Sequence, residues 1–441
     1  MTAALERFFQ LAKHGTTVRI EMLAGVTTFL TMAYIVVVNP IILGNAGMPV
    51  AAVAAATCLA AGLGSILMGV LSNYPLAVAP GMGLNAYFTY TVVKGMGVPW
   101  ETALGCVFLS GLIFLVLTIV GLRQLIVDAI PRALFSAVAG GIGLFIAFIG
   151  LQGAGLVVAN PATKVTLGNV SSPDALLCLG GLLLIAALQF WKVRGAMLIG
   201  ILGVSFAAWT AGLVAFTPGA YTIADLSATA FKLDLAAPFA LGGSLGTALL
   251  EVTFVFLFVD LFDNVGTLVA VTKRAGLVAS DGSIPRLNRI LLADSSAAMI
   301  GAVAGTSTVT SYIESAAGVS AGGRTGLTAV VVGVLFLCTL FFAPLVQAIP
   351  ASATAPALIL VGGLMMSGLG DVEWTDPLIG LPAFLTLIMI PLTYSIANGL
   401  AFGITSYVAL QLLAGKGRKQ DWLLYLLAAL FVLRFAYLAA G

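Results

Sequence analysis

Charge is scarce in this sequence. Its 441 residues hold 19 Lys and Arg, 17 Asp and Glu and one His, 8% charged against 61% hydrophobic. Soluble proteins carry roughly 25% charged residues, and 8% cannot build a water-facing surface. The chain therefore reads as an all-α polytopic membrane protein. With a net charge of +2 there is no basic stripe to bind nucleic acid. Cysteine is scarce too: Cys58, Cys106, Cys178 and Cys338 lie in apolar runs without a CxxC pair. They read as small packing residues, with no metal site or disulfide expected. His14, the one histidine, reads as a solvated surface residue. No HExxH, nucleophile elbow or phosphate loop appears, so the chain is not expected to be an enzyme or to hold a cofactor. The N-terminal MTAALERFFQLAKHG is amphipathic and lacks a cleavable signal pattern; a short interfacial helix is expected there.

What is present is a succession of apolar runs. They lie near 22–44, 50–71, 76–94, 102–121, 133–153, 173–190, 196–216, 244–271, 290–304, 306–320, 327–347, 353–369, 378–412 and 421–439. A crossing helix needs about 20 residues, which gives about 14 spans. The run 378–412 is too long for one span and contains Pro391. Arg7, Lys13 and Arg19 precede the first run, and Arg123, Arg132, Lys192, Arg194, Lys273, Arg274, Arg286, Arg289 and Arg324 follow even-numbered ones. The positive-inside rule then puts these residues and the N-terminus in the cytoplasm. Lys416, Arg418 and Lys419 break the pattern if 378–412 is one span.

A repeat is visible. Ala129-Ile130-Pro131 precedes a run with Gly140-Gly141, and Ala348-Ile349-Pro350, 219 residues on, precedes one with Gly362-Gly363. By the same shift, 173–190 and 196–216 fall on parts of 392–412 and 421–439. Seven spans per half is an odd number, so the second copy enters the membrane inverted, as in many transporters.

Such proteins place substrate where paired helices are interrupted. APGMGLNAYFTY at 79–90 and AGTSTVTSYIESAAG at 304–318 stand in corresponding places. Pro80, Gly81 and Gly83 disfavour helix in the first, and β-branched and hydroxyl residues fill the second. Both read as short extended pieces leading into half-helices, whose backbone N–H groups and N-terminal dipoles offer donors to a polar ligand.

Acids inside apolar segments are costly and mark function by default. Asp260, Asp263, Asn264 and Thr267 form one helical stripe that must face protein. Asp294 and Glu314 add acids on the next two spans. A structural hydrogen bond to exposed backbone is the rival reading for each. The balance favours substrate or ion binding for Asp263 and Glu314 and structure for Asp260. It is even for Asp294, which could brace the half-helix, and for Asn85, either a backbone brace or a ligand contact. Asn39-Pro40 reads as structural.

These stretches also carry a resemblance. TTFLTMAYIVVVNP at 27–40, APGMGLNAYFTY at 79–90, FVDLFDNVGTLVAV at 258–271, LLADSSAAMIGA at 291–302 and TSYIESAAGVSAGGRTGLTA at 310–329 resemble the nucleobase–cation symporter family of uracil, xanthine and purine permeases, and its AzgA-like purine branch most. The likeness runs end to end. It implies two inverted seven-span repeats. A core domain takes 22–121 and 240–347, a gate domain takes 122–220 and 348–441, and substrate lies between them; residues 1–21 form the cytoplasmic N-terminal segment. It implies purine–proton symport across the cell membrane by core-against-gate alternating access, and a homodimer. By motif position the family's span-8 acid falls on Asp263, its span-9 aspartate on Asp294 and its span-10 glutamate on Glu314; Asp263 is expected to bind substrate with Glu314 and, with Asp294, to couple the proton. Uracil and xanthine branches carry histidine in span 8; Asn264 and Thr267 stand there instead, which favours the AzgA-like branch.

Chemistry and resemblance converge on one expectation. Glu314 accepts from purine N–H groups in a charge-assisted pair, backbone near Gly83 and Thr308 donates to ring acceptors, and Asp263 carries the proton. Phe262, Tyr87 or Phe88 covers the ring. Hypoxanthine and guanine are the expected substrates and adenine the alternative. An anion transporter on the same fold is a weaker reading, because Glu314 would oppose an anion.

Overall fold

The structure, a computed structural model, describes residues 2–121, 131–215, 223–239, 244–278, 284–418 and 421–440. Arg123, Ala129, Ile130 and Lys419, used above for orientation and repeat, lie outside these.

Helix α1 (Thr2–Phe9) and a 3-10 turn ending at His14 precede α2 (Val18–Met32), which starts where the Thr17 hydroxyl accepts from the Ile20 N–H. Helix α3 (Ile35–Gly44) completes the first span and α4 (Val50–Ser72) is the second. Strand β1 (Val78–Pro80) then leads into α5 (Met82–Ala86), which continues as π-helix over Tyr87–Gly95. After α6 (Trp100–Val120) and α7 (Arg132–Gly153) comes a hairpin, β2 (Val157–Asn160) with β3 (Lys164–Leu167). Helices α8 (Pro173–Phe190), α9 (Ala196–Thr210), α10 (Ser244–Arg274) and α11 (Leu287–Ala304) follow. Strand β4 (Val309–Ser311) leads into α12 (Ser315–Ser320) and α13 (Gly326–Thr339). The chain ends with α14 (Ala351–Met365), α15 (Pro377–Thr393), α16 (Ile396–Leu413) and α17 (Trp422–Ala440).

Among the described residues nine helices are long and apolar enough to cross a membrane, and four shorter apolar ones accompany them. The broken segments 78–95 and 309–320 add two more, fifteen candidate segments among the described residues where about 14 were expected, the extra one arising because 378–412 is two helices. The expected multi-pass α architecture with extended pieces in spans 3 and 10 is therefore present. The run 378–412 is two helices. Pro391 lies inside α15, and the break comes at Tyr394, in the left-handed region at φ 52°, and at Ser395, whose hydroxyl accepts from the Asn398 N–H at 3.3 Å.

The chain divides into two compact units, Met1–Ile119 with Gly150–Ala357, and Val120–Ile149 with Leu358–Gly441. The described residues 150–215 thus fall in the first. At the centre of that unit α4 packs against α3, α11, α13 and β1. Lipid gives helices no hydrophobic reason to associate, so small residues that admit close backbone contact decide. A Cβ on Gly69 would sit 2.3 Å from the Gly326 carbonyl oxygen, and one on Gly333 would sit 2.5 Å from that of Gly62. Both pairs are spaced by seven, two helical turns. In the second unit Gly143 and Gly362, 219 apart like the AIP triplets, meet the same way; a Cβ on Gly362 would lie 2.3 Å from the Gly143 oxygen.

Candidate functional site

The site is built on extended backbone. Pro80, with no N–H, and the β-branched Val78, Thr308, Val309 and Thr310 keep both pieces out of helix. The strands pair antiparallel, Val78 opposite Ser311, Ala79 opposite Thr310 and Pro80 opposite Val309. The ladder continues at both ends: Tyr312 N–H donates to the Ala77 oxygen at 3.0 Å and Gly81 N–H to the Thr308 oxygen at 2.9 Å. Strand thus satisfies strand, as apolar surroundings demand. Each strand turns into a short helix, α5 with Gly81 at its N-cap and α12 with Glu314 at its N-cap, and neither cap residue bonds its own first turn through a side chain.

Glu314 is engaged elsewhere. The Tyr34 hydroxyl, between α2 and α3, donates to its Oε1 at 2.8 Å. Asp263, on α10, points to the other strand-to-helix junction: a Cβ on Gly81 would lie 3.7 Å from Asp263 Oδ2. Asp294, on α11, accepts from the Ser311 hydroxyl of β4 at 3.3 Å. The carboxylates of Asp263, Asp294 and Glu314 are close enough to interact electrostatically, so Asp263, Asp294, Glu314 and Thr308 come together around one strand pair. Asp263 and Glu314 are half-buried whereas Asp294 and Asp260 are buried.

Asn85 is committed to the protein. Its amide donates to Asn39 Oδ1 at 2.6 Å and its carbonyl accepts from the Ser307 hydroxyl. Asn39 in turn donates to Thr57 at 2.7 Å and Thr306 at 2.8 Å. This buried network ties α3, α4, α5 and the approach to β4 together, in line with the structural reading of Asn39. Gly83 lies in the first turn of α5. Tyr87, Phe88 and Phe262 are all buried, the first two against Phe256.

Two hydroxyls at the strand pair, Thr308 and Thr310, and both polar atoms of Asn264 are buried without a hydrogen-bond partner among the described residues. A separate apolar groove of about 520 Å³, lined by Leu59, Phe108, Phe231 and Met299 among others, includes none of the acids.

Sequence reasoning missed Tyr34 and Glu21. Tyr34 is hidden in an apolar run, and no local pattern flags it. Glu21 had a signal, a lone acid at the start of the first span. It is fully buried, and its carboxylate accepts from the backbone of Arg324, Thr325 and Thr328 and from the Thr328 hydroxyl.

The model of the Permease family matches residues 19–402. The chain belongs to that family, and is a permease rather than an enzyme. The adenine permease AdeP of Escherichia coli strain K12 is 44% identical over 99% of this chain and 97% of its own. The guanine/hypoxanthine permease PbuG of Bacillus subtilis strain 168 is 46% identical over 98% and 100%. These relatives bear out the resemblance read from the motifs. Among solved structures, the transmembrane domain of a cyanobacterium bicarbonate transporter, BicA, superposes with a TM-score of 0.61 at 15% identity, covering 90% of this chain and 97% of that one. At that identity the likeness concerns the fold, the inverted-repeat permease architecture.

Proposed function

We propose that this permease imports a purine nucleobase with protons across the cell membrane, with hypoxanthine and guanine as substrates. The observation that carries the reading is the half-buried Glu314 carboxylate beside the strand pair, with Oε1 held by Tyr34. A purine base offers adjacent ring N–H groups to such a carboxylate. Thr308 and the first turn of α5 at Gly83 supply polar contacts to the ring acceptors. Asp263, across the strand pair, carries the coupling proton, and Asp294 supports it through Ser311. Asn85 braces the site rather than touching substrate.

The strand pair rides on the core, 22–121 and 240–347, and alternating access exposes it to either side; residues 122–220 and 348–441 form the gate, on which a homodimer would assemble. The N-terminus is cytoplasmic. With α15 and α16 as separate crossings, Lys416 and Arg418 follow an even number of crossings and join the cytoplasmic cations.

Adenine is the second reading, because the adenine permease AdeP is nearly as similar to this chain, at 44% identity, as the guanine/hypoxanthine permease PbuG, at 46%. An anion substrate, as BicA's bicarbonate would suggest, is opposed by two acids at the site. The test is uptake of radiolabelled hypoxanthine by cells lacking purine permeases, with guanine, adenine, xanthine and uracil as competitors and a protonophore arm. Competition by guanine and collapse with protonophore is the expected result. Block by adenine alone moves the chain to the second reading, and no uptake by folded protein rejects both.

A further inference from the structure

Glu21 lies near the N-terminus of α2, far from the acids of the site in sequence, and it is fully buried. Among the described residues, the hydrogen bonds its carboxylate accepts come from backbone N–H groups and one hydroxyl, none from a cationic side chain. Its Oε1 accepts from the Arg324 N–H at 2.9 Å, and its Oε2 from the Thr325 N–H at 3.3 Å, the Thr328 N–H at 3.2 Å and the Thr328 hydroxyl at 2.6 Å. The anion thus sits on the N-terminal turn of α13, where orphan N–H groups and the helix dipole favour it. That turn already has ordinary caps: the Thr325 hydroxyl accepts from the Leu327 N–H at 3.4 Å, and Asn73 Oδ1 from the Gly326 N–H at 2.8 Å. Capping alone gives no reason to bury a carboxylate from an element 303 residues away.

The loop that Glu21 grips is the C-terminal end of the Glu314 half-helix. The Arg324 guanidinium donates to the Val319 and Gly323 carbonyls, each at 2.7 Å, closing α12 onto the same loop. Between the ends, α12 lies directly on α2: a Cβ on Gly318 would be 2.0 Å from the Thr28 hydroxyl and 2.7 Å from the Ala24 carbonyl oxygen. At the other end Tyr34 holds Glu314 itself. Residues 21, 24 and 28 share one face of α2, and Tyr34 continues the contact. The first span is therefore a splint along the whole of α12, fastened at the loop by Glu21 and at the carboxylate by Tyr34.

We infer that Glu21 is a positioning residue for substrate binding, which fixes the half-helix so that Glu314 meets the base in register. The inference rests on the reading of Glu314 as the substrate-binding acid. Releasing the loop end leaves α12 packed on α2 at Gly318 and fastened at Tyr34, but without its anchor at the loop, and lets Glu314 shift. The cost appears in affinity, not in the capacity to turn over once loaded.

The test is hypoxanthine binding by titration calorimetry, with adenine as a second probe, and transport at saturating base. Native protein, E21Q, T328V, E314Q and the E21Q/E314Q double variant are compared, each checked for monodispersity. T328V removes one donor to Glu21 and tolerates a failure of E21Q to fold. The expected result is a Kd raised about tenfold in E21Q, the size of one lost charge-assisted hydrogen bond. T328V shifts the same way by less, and maximal transport stays within about twofold in both. In the E314Q background E21Q adds less than about twofold, since coupled positions are not additive. Native affinity in E21Q and T328V while E314Q is weakened overturns the inference and leaves the Glu314 reading intact. So does a full E21Q loss in the E314Q background. Native affinity in E314Q itself rejects the Glu314 reading, and the positioning role with it.

Discussion

Glu314→Gln separates the charge at the strand pair from its shape. Gln is isosteric, and its amide oxygen can still accept the Tyr34 hydroxyl, which now lies 2.8 Å from Oε1. The half-helix therefore keeps its fastening, and the other terminal atom changes from an anionic acceptor to an NH₂ donor. A purine N–H that faced the carboxylate oxygen meets a donor instead. A hydrogen bond to a charged group contributes about 1.5–3 kcal/mol. At about 1.4 kcal/mol per decade, Kd should rise about 10- to 150-fold. Titration of purified protein in lipid nanodiscs with hypoxanthine, and with adenine in parallel, measures this directly. A melting temperature within a degree or two of native excludes a folding defect. Kd within about twofold of native in a folded Glu314→Gln protein would refute the argument, because in either orientation the neutral amide lacks the charge that strengthens the bond to the base N–H.

Asp263→Asn should leave base binding measurable but abolish protonophore-sensitive accumulation; retained accumulation in a well-expressed variant removes Asp263 from proton coupling. Asn85→Ala strands Asn39 and Ser307 in a buried network, so it should cost about 2 kcal/mol of stability in thermal unfolding with affinity nearly native; loss of affinity at native stability would instead make Asn85 a ligand contact. Gly69→Val puts side-chain carbon where the Gly326 carbonyl oxygen would be 2.3 Å away, and a drop of about 3 kcal/mol, read as a lower melting temperature or lost expression, is expected. His14, ahead of the first span, has its pKa lowered by burial first and then by Arg286 and Lys13. The folded state thus binds its proton less readily than the unfolded chain. Its contribution is intact above the unfolded value of about 6.5 and is lost as pH falls below that. Thermal unfolding at pH 5.5 and 7.5 should show a smaller drop in His14→Gln than in the native protein.

What the sequence made legible was local. Apolar runs gave the spans, because a helix in lipid must be apolar along about 20 residues. Pro80, Gly81 and the β-branched run 306–310 gave the strand pair, because each disfavours helix on its own. The half-buried acids were visible because charge in an apolar segment is costly. What stayed hidden depends on partners remote in the chain. Tyr34 is one more aromatic in an apolar run until Glu314, 280 residues away, lies beside it. Glu21 looks like a flanking charge until the loop at 324–328 closes over it. Asn85 could not be divided between brace and ligand contact, since Asn39 and Ser307 both had to be placed first. In 378–412 the proline was the local signal, yet the chain breaks at Tyr394, whose left-handed backbone nothing in the residue type foretells.

The inverted repeat explains which positions had to be small or extended. Near a pseudo-two-fold axis a residue meets its own equivalent, so any side chain there is opposed by a comparable one. Gly143 and Gly362 stand at the repeat offset and touch backbone to backbone; nothing larger fits twice. At the strand pair the same condition is met without glycine, because antiparallel strands present hydrogen-bonding edges to each other and send their side chains above and below. A helix pair crossing there would fill the axis with side chains. The extended pieces leave two helix starts, at Gly81 and Glu314, disposed about a common centre, one without a side chain and the other with a carboxylate. That inequality between copies is where a symmetric scaffold acquires an asymmetric ligand. A Gly81→Ala variant sharpens the point: its Cβ would lie 3.0 Å from Thr310 Cγ2 and 3.7 Å from Asp263 Oδ2. It should therefore weaken base binding through crowding of the Asp263 side while the Tyr34–Glu314 contact persists, and a native Kd in Gly81→Ala would show that the ligand does not reach that half of the site.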